Sequence, residues 1–194
     1  MVVVALLAPL AWFLGTFPTA VLVARAKGRD VTREGSGNPG ASNVGRVLGW
    51  RWGAVVLVSD FAKGTLATGV GLWVGGRPGA YVLGFAAVLG HTFPLYRKGG
   101  KGVAAAGGTL AVLFPLITLG LFIVWLIVAR ALHKASLASL LITVAFPIAV
   151  ALTSHEVWED IVVAALALLI IARHAPNIRR LLRRQEIDID ARST

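Results

Sequence analysis

The chain contains no cysteine. That excludes a disulfide framework, a thiol nucleophile and any cysteine-ligated metal. Charge is also scarce: Asp, Glu, Lys and Arg make up 14% of the 194 residues, against 57% apolar residues. A water-soluble globule carries about a quarter charged residues, so the solvent for most of this chain is lipid. Acid is scarcest of all, with nine carboxylates against 19 Lys and Arg and a formal net charge of +10. Such a balance points to nucleic acid, anionic lipid or phosphorylated substrates, and the placement of the cations decides among them.

Six apolar runs are long enough to cross a bilayer: 2–24, 53–74, 79–96, 103–129, 137–153 and 157–172. The first lacks the basic leader of a signal peptide and reads as a retained helix. The run 103–129 carries Pro115 after Phe114. Proline removes a helical hydrogen bond and disfavours helix at the residue before it, so this run is one kinked helix or two short ones. The cytoplasmic bias of Lys and Arg arbitrates. Two helices place segments 25–52, 94–102, 130–136 and 173–194 on one face, with 17 of the 19 basic residues and only Lys63 and Arg77 elsewhere.

The expectation is therefore an all-α, polytopic membrane bundle of seven transmembrane helices, amino terminus outside and carboxyl terminus cytoplasmic. It forms a single membrane-embedded domain over residues 1–194, with 187–194 a flexible tail, in the plasma membrane. The same bias accounts for the net charge without nucleic acid, and the aromatic–basic interleaving of RNA-binding modules is missing.

Four polar segments fall on the basic face. Residues 33–46 are dense in glycine, and Ser36, Asn38, Ser42 and Asn43 add hydrogen-bonding groups while Arg46 adds charge. The formal GxGxxG within it follows a membrane helix and not a strand, so it is not a dinucleotide fingerprint. What remains is a loop whose amides can approach an anion closely, or a flexible polar turn. Residues 97–102 read Arg-Lys-Gly-Gly-Lys-Gly. Gly102 stands where a Walker loop needs Ser or Thr, which excludes a P-loop ATPase. Lys98, Lys101 and the amides opening the next helix still suit phosphate. His91 sits just upstream, as a structural imidazole or as one that binds or relays a proton.

In the third segment, at helical spacing, His174 and Asn177 share a face beyond the last span, within a basic stretch that also reads as a lipid anchor. The fourth, the His133–Ser139 turn, adds hydroxyls. Inside the second run, Asp60 and Lys63 form either a functional site or a self-satisfying ion pair. The HxxxxD pattern of His155 and Asp160 falls in a loop on the opposite face and is set aside.

Together the segments resemble the acyl-phosphate-dependent glycerol-3-phosphate acyltransferases of bacteria, the PlsY family. Residues 35–46, GSGNPGASNVGR, resemble the family pattern GSGNxGATNxxR. Residues 90–94, GHTFP, and 98–104, KGGKGVA, resemble its second pattern, GHxFP followed by KGGKGVAT. Arg173, His174, Asn177, Ile178, Arg180, Leu181 and Glu186 match RHxxNIxRLxxGxE. The spacer between Pro94 and Lys98 is about two residues shorter than the pattern, Ala105 replaces Thr, and Arg184 replaces Gly.

The resemblance implies transfer of a fatty acyl group from acyl phosphate to sn-glycerol 3-phosphate, giving 1-acyl-glycerol 3-phosphate and phosphate, the first step of phospholipid synthesis. It implies His91, Lys101 and Asn177 as catalytic, and Ser36, Asn38, Asn43, Arg46, Lys98, Ser139, His174 and Glu186 as substrate-binding. Cofactor and metal are not required. Acyl phosphate is an activated anhydride, so the protein has to supply phosphate cradles, an apolar groove and a route for the acceptor's proton, which the substrate's own phosphate can also take. The alternatives are an anion or phospholipid transporter, disfavoured because no inverted repeat is evident, and a catalytically weakened paralogue.

Overall fold

The computed structural model describes residues 1–95, 97–153 and 156–191. Among them every regular element is an α-helix, and the chain divides into two compact units, one built on Met1–Leu113 and the other on Phe114–Asp190.

Proline and glycine set the helix breaks of the first unit. The run expected as one helix over 2–24 is instead two, α1 (Val2–Gly15) and α2 (Thr19–Arg25). Pro18 disfavours helix at Phe17 and cannot donate to the preceding turn, so the carbonyls of Thr16 and Phe17 are left without helical partners. Side chains from elsewhere in the unit supply them: Arg97 donates to the Thr16 carbonyl, and Lys63 Nζ to the Phe17 carbonyl at 2.6 Å. A short amphipathic helix, α3 (Ala41–Leu48), follows the glycine-rich loop and buries Val44 and Val47 with Ala20, Ala24, Val31 and Val56.

Helix α4 (Trp50–Thr92) has 43 residues. Straight, it would be about 65 Å long, twice the roughly 30 Å of a hydrocarbon core. It bends at Gly75 and Gly76, the latter at φ 61, a backbone conformation that side-chain-bearing residues rarely adopt. The two arms then fold against each other, because a Cβ at Gly71 would overlap the carbonyl of Gly79. The same small-residue logic packs the rest of the unit. Gly15 and Gly90 bring α1 into backbone contact with the second arm, at the carbonyls of Ala87 and Trp12. Gly64 and Gly108 bring the first arm against α5 (Val103–Leu113), at the carbonyls of Ala105 and Phe61.

The second unit begins where Pro115 ends α5 at Phe114, as the sequence leads one to expect. Helices α6 (Pro115–Leu132) and α7 (Ala135–Thr153) form a hairpin whose turn places His133 in a left-handed conformation, φ 52. Phe114 meets Phe146 edge to face, ring centres 6.1 Å apart. Helix α8 (Val157–Arg173) then bends by 59° at His174 into α9 (Ala175–Leu182), which carries Pro176 in its first turn. Of the carboxyl-terminal segment expected as a tail, Ile189 is buried with Ala129, Ala135 and Ala138, and its amide donates to the His133 carbonyl at 2.7 Å.

Val2–Arg25 taken together, α4, α6 and α7 are each long and apolar enough to cross a bilayer, and the bent pair α8–α9 is a fifth such segment. In α6 only Ala129 is buried while Leu116, Leu119, Phe122 and Ile127 are exposed, as expected of a face turned to lipid.

The glycine contacts predict a sharp positional contrast. Gly64→Ala sets a Cβ on the Ala105 carbonyl and should cost about 1–3 kcal/mol, whereas Gly69→Ala, with nothing within 4 Å, should be neutral. Thermal unfolding of the two variants in detergent checks this, and equal melting temperatures would contradict the packing.

Candidate active site

In the first unit the polar groups converge beside the α1–α2 break. Asp60 and Lys63, one turn apart on α4, form a buried ion pair, Nζ to Oδ1 2.6 Å, with side chains only 4% and 5% exposed. Lys63 also holds the Phe17 carbonyl. His91, from the far end of α4, brings Nδ1 to 3.6 Å from the same Asp60 oxygen. Asp60 thus faces an ammonium and an imidazole, holding Lys63 and lying against His91. Sequence reasoning singled out Asp60 and Lys63 but not this link to His91, which exists only because α4 folds back at Gly75 and Gly76.

The loop after α4 closes over the imidazole. The Gly100 amide donates to the His91 carbonyl at 3.1 Å, and a Cβ at Gly100 would overlap the His91 ring. Gly99 lies as tightly on the Thr92 carbonyl. These contacts, not flexibility, explain the paired glycines.

The glycine-rich loop before α3 is braced from beneath. Asn43 is 2% exposed and accepts the Ser36 amide at 2.8 Å, while its Nδ2 donates to the carbonyls of Val31 and Glu34, each at 3.0 Å. Gly35, at φ 59, passes over the Asn43 side chain, where a Cβ would collide. Arg29 pairs with Glu34, and its hydrogen bond holds the Glu34 carboxyl below the usual carboxylate range. The amides of Ser36, Gly37 and Gly40 are all bonded inside the loop. An anion here is therefore met by side chains more than by the amide cradle that the glycines alone lead one to expect, and Asn43 shapes the loop from below.

The two loops approach each other. The Lys98 ammonium would lie 3.5 Å from a Cβ on Gly37, and Lys98 and Pro39 line one narrow cleft with Asp60, His91, Arg97, Gly99, Gly100 and the Thr16–Val21 segment. Its volume of about 20 Å³ is little more than one water occupies. Arg46 is buried on α3 and Lys101 half-buried at the approach to α5.

The second unit holds a separate polar group around the α8–α9 bend. His174 is 2% exposed, with Nδ1 2.8 Å from the Ile170 carbonyl. A carbonyl only accepts, so Nδ1 carries a proton. Asn177 donates Nδ2 to Glu186 Oε1 at 2.7 Å, and Arg180 donates Nε to Glu186 Oε2 at 2.9 Å. Glu186 thereby fixes the amide and leaves Asn177 Oδ1 buried without a hydrogen-bond partner among the described residues. Ser136 Oγ is in the same condition. Ser139, by contrast, donates to the Ala135 carbonyl and accepts from Trp125 Nε1, so its hydroxyl serves the α6–α7 hairpin. His155 of the HxxxxD pattern lies outside the described residues; Asp160 stands in the first turn of α8. Among the described residues no cluster of His and carboxylates is arranged to hold a metal.

A helical membrane scaffold that collects cations and an imidazole at helix breaks, beside lipid-facing apolar surface, is one built to handle a charged head on an apolar chain. The comparisons with known proteins narrow the class. The glycerol-3-phosphate acyltransferase family profile matches residues 5–184, and the chain belongs to that family. It is 38% identical over 186 residues to the glycerol-3-phosphate acyltransferase of Bacillus subtilis strain 168, covering 94% of this chain and 96% of that one. The enzyme of the same description from Rubrobacter xylanophilus is 37% identical, covering 97% and 96%. Two crystal structures of PlsY (YgiH), an integral membrane glycerol 3-phosphate acyltransferase, superpose at 34% identity over 95% of this chain and 94% of theirs. The TM-scores are 0.90 for the glycerol 3-phosphate form and 0.88 for the lysophosphatidic acid form.

The buried pair gives a test of the site's frame. Lys63→Met alone leaves Asp60 buried opposite an imidazole and should destabilise by about 3–5 kcal/mol. Adding Asp60→Asn should recover part of that loss. A double variant no more stable than Lys63→Met, in denaturation from detergent, would show that the pair is not the frame.

Proposed function

We propose that this acyltransferase takes its acyl group from a fatty acyl phosphate and delivers it to the 1-hydroxyl of sn-glycerol 3-phosphate, with both reactants held at the cytoplasmic face. The observation that carries the reading is the meeting of the two glycine-rich loops at one cleft, with Lys98 beside Gly37 and His91 held over Asp60. The relatives' printed descriptions name glycerol 3-phosphate as acceptor, and the two solved forms of PlsY are described by that substrate and by lysophosphatidic acid. An acyl phosphate donor suits a chain without cysteine, because the anhydride is activated already and needs no thiol intermediate.

In this reaction the acceptor oxygen forms a bond to the acyl carbonyl carbon, the bond from that carbon to the phosphate oxygen breaks, and inorganic phosphate leaves. The hydroxyl proton passes to the departing phosphate or to His91. Ser36, Asn38, Arg46, Lys98 and Lys101 hold phosphate oxygens and offset the repulsion between two anionic substrates. Asn43 keeps Ser36 in place.

In the second unit, His174 and Asn177 position glycerol 3-phosphate. The buried Asn177 Oδ1 that Glu186 leaves unpaired is an acceptor, suited to a substrate hydroxyl and not to a phosphate oxygen. Ser139 contributes through packing. The whole chain works as one acyltransferase domain.

The topology that accompanies this reading has seven spans, formed by α1 with α2, the two arms of α4, and then α5, α6, α7 and α8. The amino terminus lies outside, and the polar loops face the cytoplasm. Lys98 beside Gly37 supports the loops after α2 and after α4 lying on one face.

Purified protein in nanodiscs, given acyl phosphate and glycerol 3-phosphate, should release inorganic phosphate only when both are present. Lys101→Ala and Asn177→Ala should each lower turnover by about 10²–10³-fold without loss of membrane insertion, and Arg184→Ala should stay near the parent rate. Silence from folded protein, or equal losses in all three variants, would overturn the assignment.

A further inference from the structure

The segment beyond α9 is tied to the α6–α7 turn along its length. The Ile189 amide donates to the His133 carbonyl at 2.7 Å, and His133 Nδ1 lies 2.9 Å from Asp190 Oδ2. Lys134 Nζ donates to the Glu186 carbonyl at 2.5 Å and to the Asp188 carboxylate. The Ile189 side chain is buried with Ala129, Ala135 and Ala138, and Trp125 and Val128 pack against the same cluster.

Backbone strain marks both ends of this tie. Among the described residues, His133 and Arg184 are the non-glycine residues with positive φ, 52 and 56. Arg184 closes α9: its amide donates to the Leu181 carbonyl at 3.0 Å and the Gln185 amide to the Arg180 carbonyl at 2.8 Å. This left-handed turn sends the chain back along the helix, where Glu186 meets Asn177 and Arg180. A side-chain-bearing residue keeps such a conformation only where its surroundings over-determine it. Here the ties between residues 186–190 and the α6–α7 turn do so.

We propose that residues 186–190 form a brace, in which Lys134 and Ile189 fix the Glu186 backbone and thereby set the affinity of the enzyme for glycerol 3-phosphate. This rests on the reading above in which Asn177 positions that substrate. An asparagine amide can turn over by half a rotation, exchanging its acceptor for its donors. Glu186 prevents the exchange, because Oε1 accepts Asn177 Nδ2 at 2.7 Å while Oε2 is engaged by Arg180 at 2.9 Å. Glu186 itself stands beyond the end of α9, so its carboxylate is only as well placed as its backbone. Lys134 holds that backbone at the Glu186 carbonyl, and Ile189 anchors the chain three residues further on. Neither Lys134 nor Ile189 touches substrate in this reading; both act through Glu186 and Asn177.

Initial rates with each substrate varied in turn test the brace. Lys134→Met and Ile189→Ser should each raise the KM for glycerol 3-phosphate about tenfold, the weight of one hydrogen bond to a charged group, with kcat and the KM for acyl phosphate within about twofold of the parent. Asp188→Asn, which alters a single exposed carboxylate, should raise the same KM about threefold. Lys134→Arg keeps a cation that donates to both partners and should stay near the parent. Arg183→Ala, exposed at the end of α9 and outside the brace, should leave every constant unchanged.

A merely structural tie would lower the fraction of active protein, which reduces kcat and leaves both KM values alone. That pattern, or a glycerol 3-phosphate KM at the parent value in the brace variants that fold, overturns the inference. If Asn177→Ala itself keeps the parent kinetics, the acceptor reading beneath it fails instead.

Discussion

An ammonium buried in an apolar bundle has to be satisfied from several sides at once, and Lys63 is satisfied by a carboxylate from its own helix and a carbonyl from the break between α1 and α2. Its bond to Asp60 keeps both charges from standing alone in a medium that penalises them heavily, and its bond to the Phe17 carbonyl supports the break that Pro18 imposes on the first membrane segment. Asp60 in turn holds His91, which carries Gly100 and the loop after α4. The polar cleft is in this sense the far end of one ion pair. Each layer outward, from helix break to imidazole to glycine loop, depends on the one beneath it.

Glycine supplies the complementary constraint. Where two helices meet at Gly64, Gly90 or Gly15, backbone touches backbone, and the α4 hairpin closes at Gly71 and Gly79. A lipid-embedded bundle gains little by burying one apolar side chain against another, since lipid tails offer the same surface. Close backbone approach is what such a bundle has instead. The large apolar side chains can then face outward, as they do along α6.

Much of this was legible in the residues. The division at Phe114 follows from Pro115, the two arms of α4 from the Gly75–Gly76 interruption between apolar runs, and the likeness of three motifs to one family from their order and spacing. Other features were not, for physical reasons. Pro18 shares its apolar run with Pro9, which lies inside α1 without breaking it, so proline alone does not place the α1–α2 break. His91 and Asp60 sit on one long helix, and only its fold-back makes them neighbours. The Asn43 side chain reads as a ligand for phosphate in a polar loop, yet its hydrogen bonds are all used inside that loop. Ser139 likewise reads as a free hydroxyl and is engaged by Trp125 and Ala135.

The account depends most on the two glycine-rich loops being held together over the broken helix. Because the chain has no cysteine, a Ser36→Cys, Lys98→Cys pair can be introduced without background and probed with a short bifunctional thiol reagent in native membranes. The account predicts efficient intramolecular crosslinking that is lost when Lys63→Met is added. No crosslink in folded protein with both thiols reactive to single-ended reagents, or a crosslink indifferent to Lys63, would contradict it.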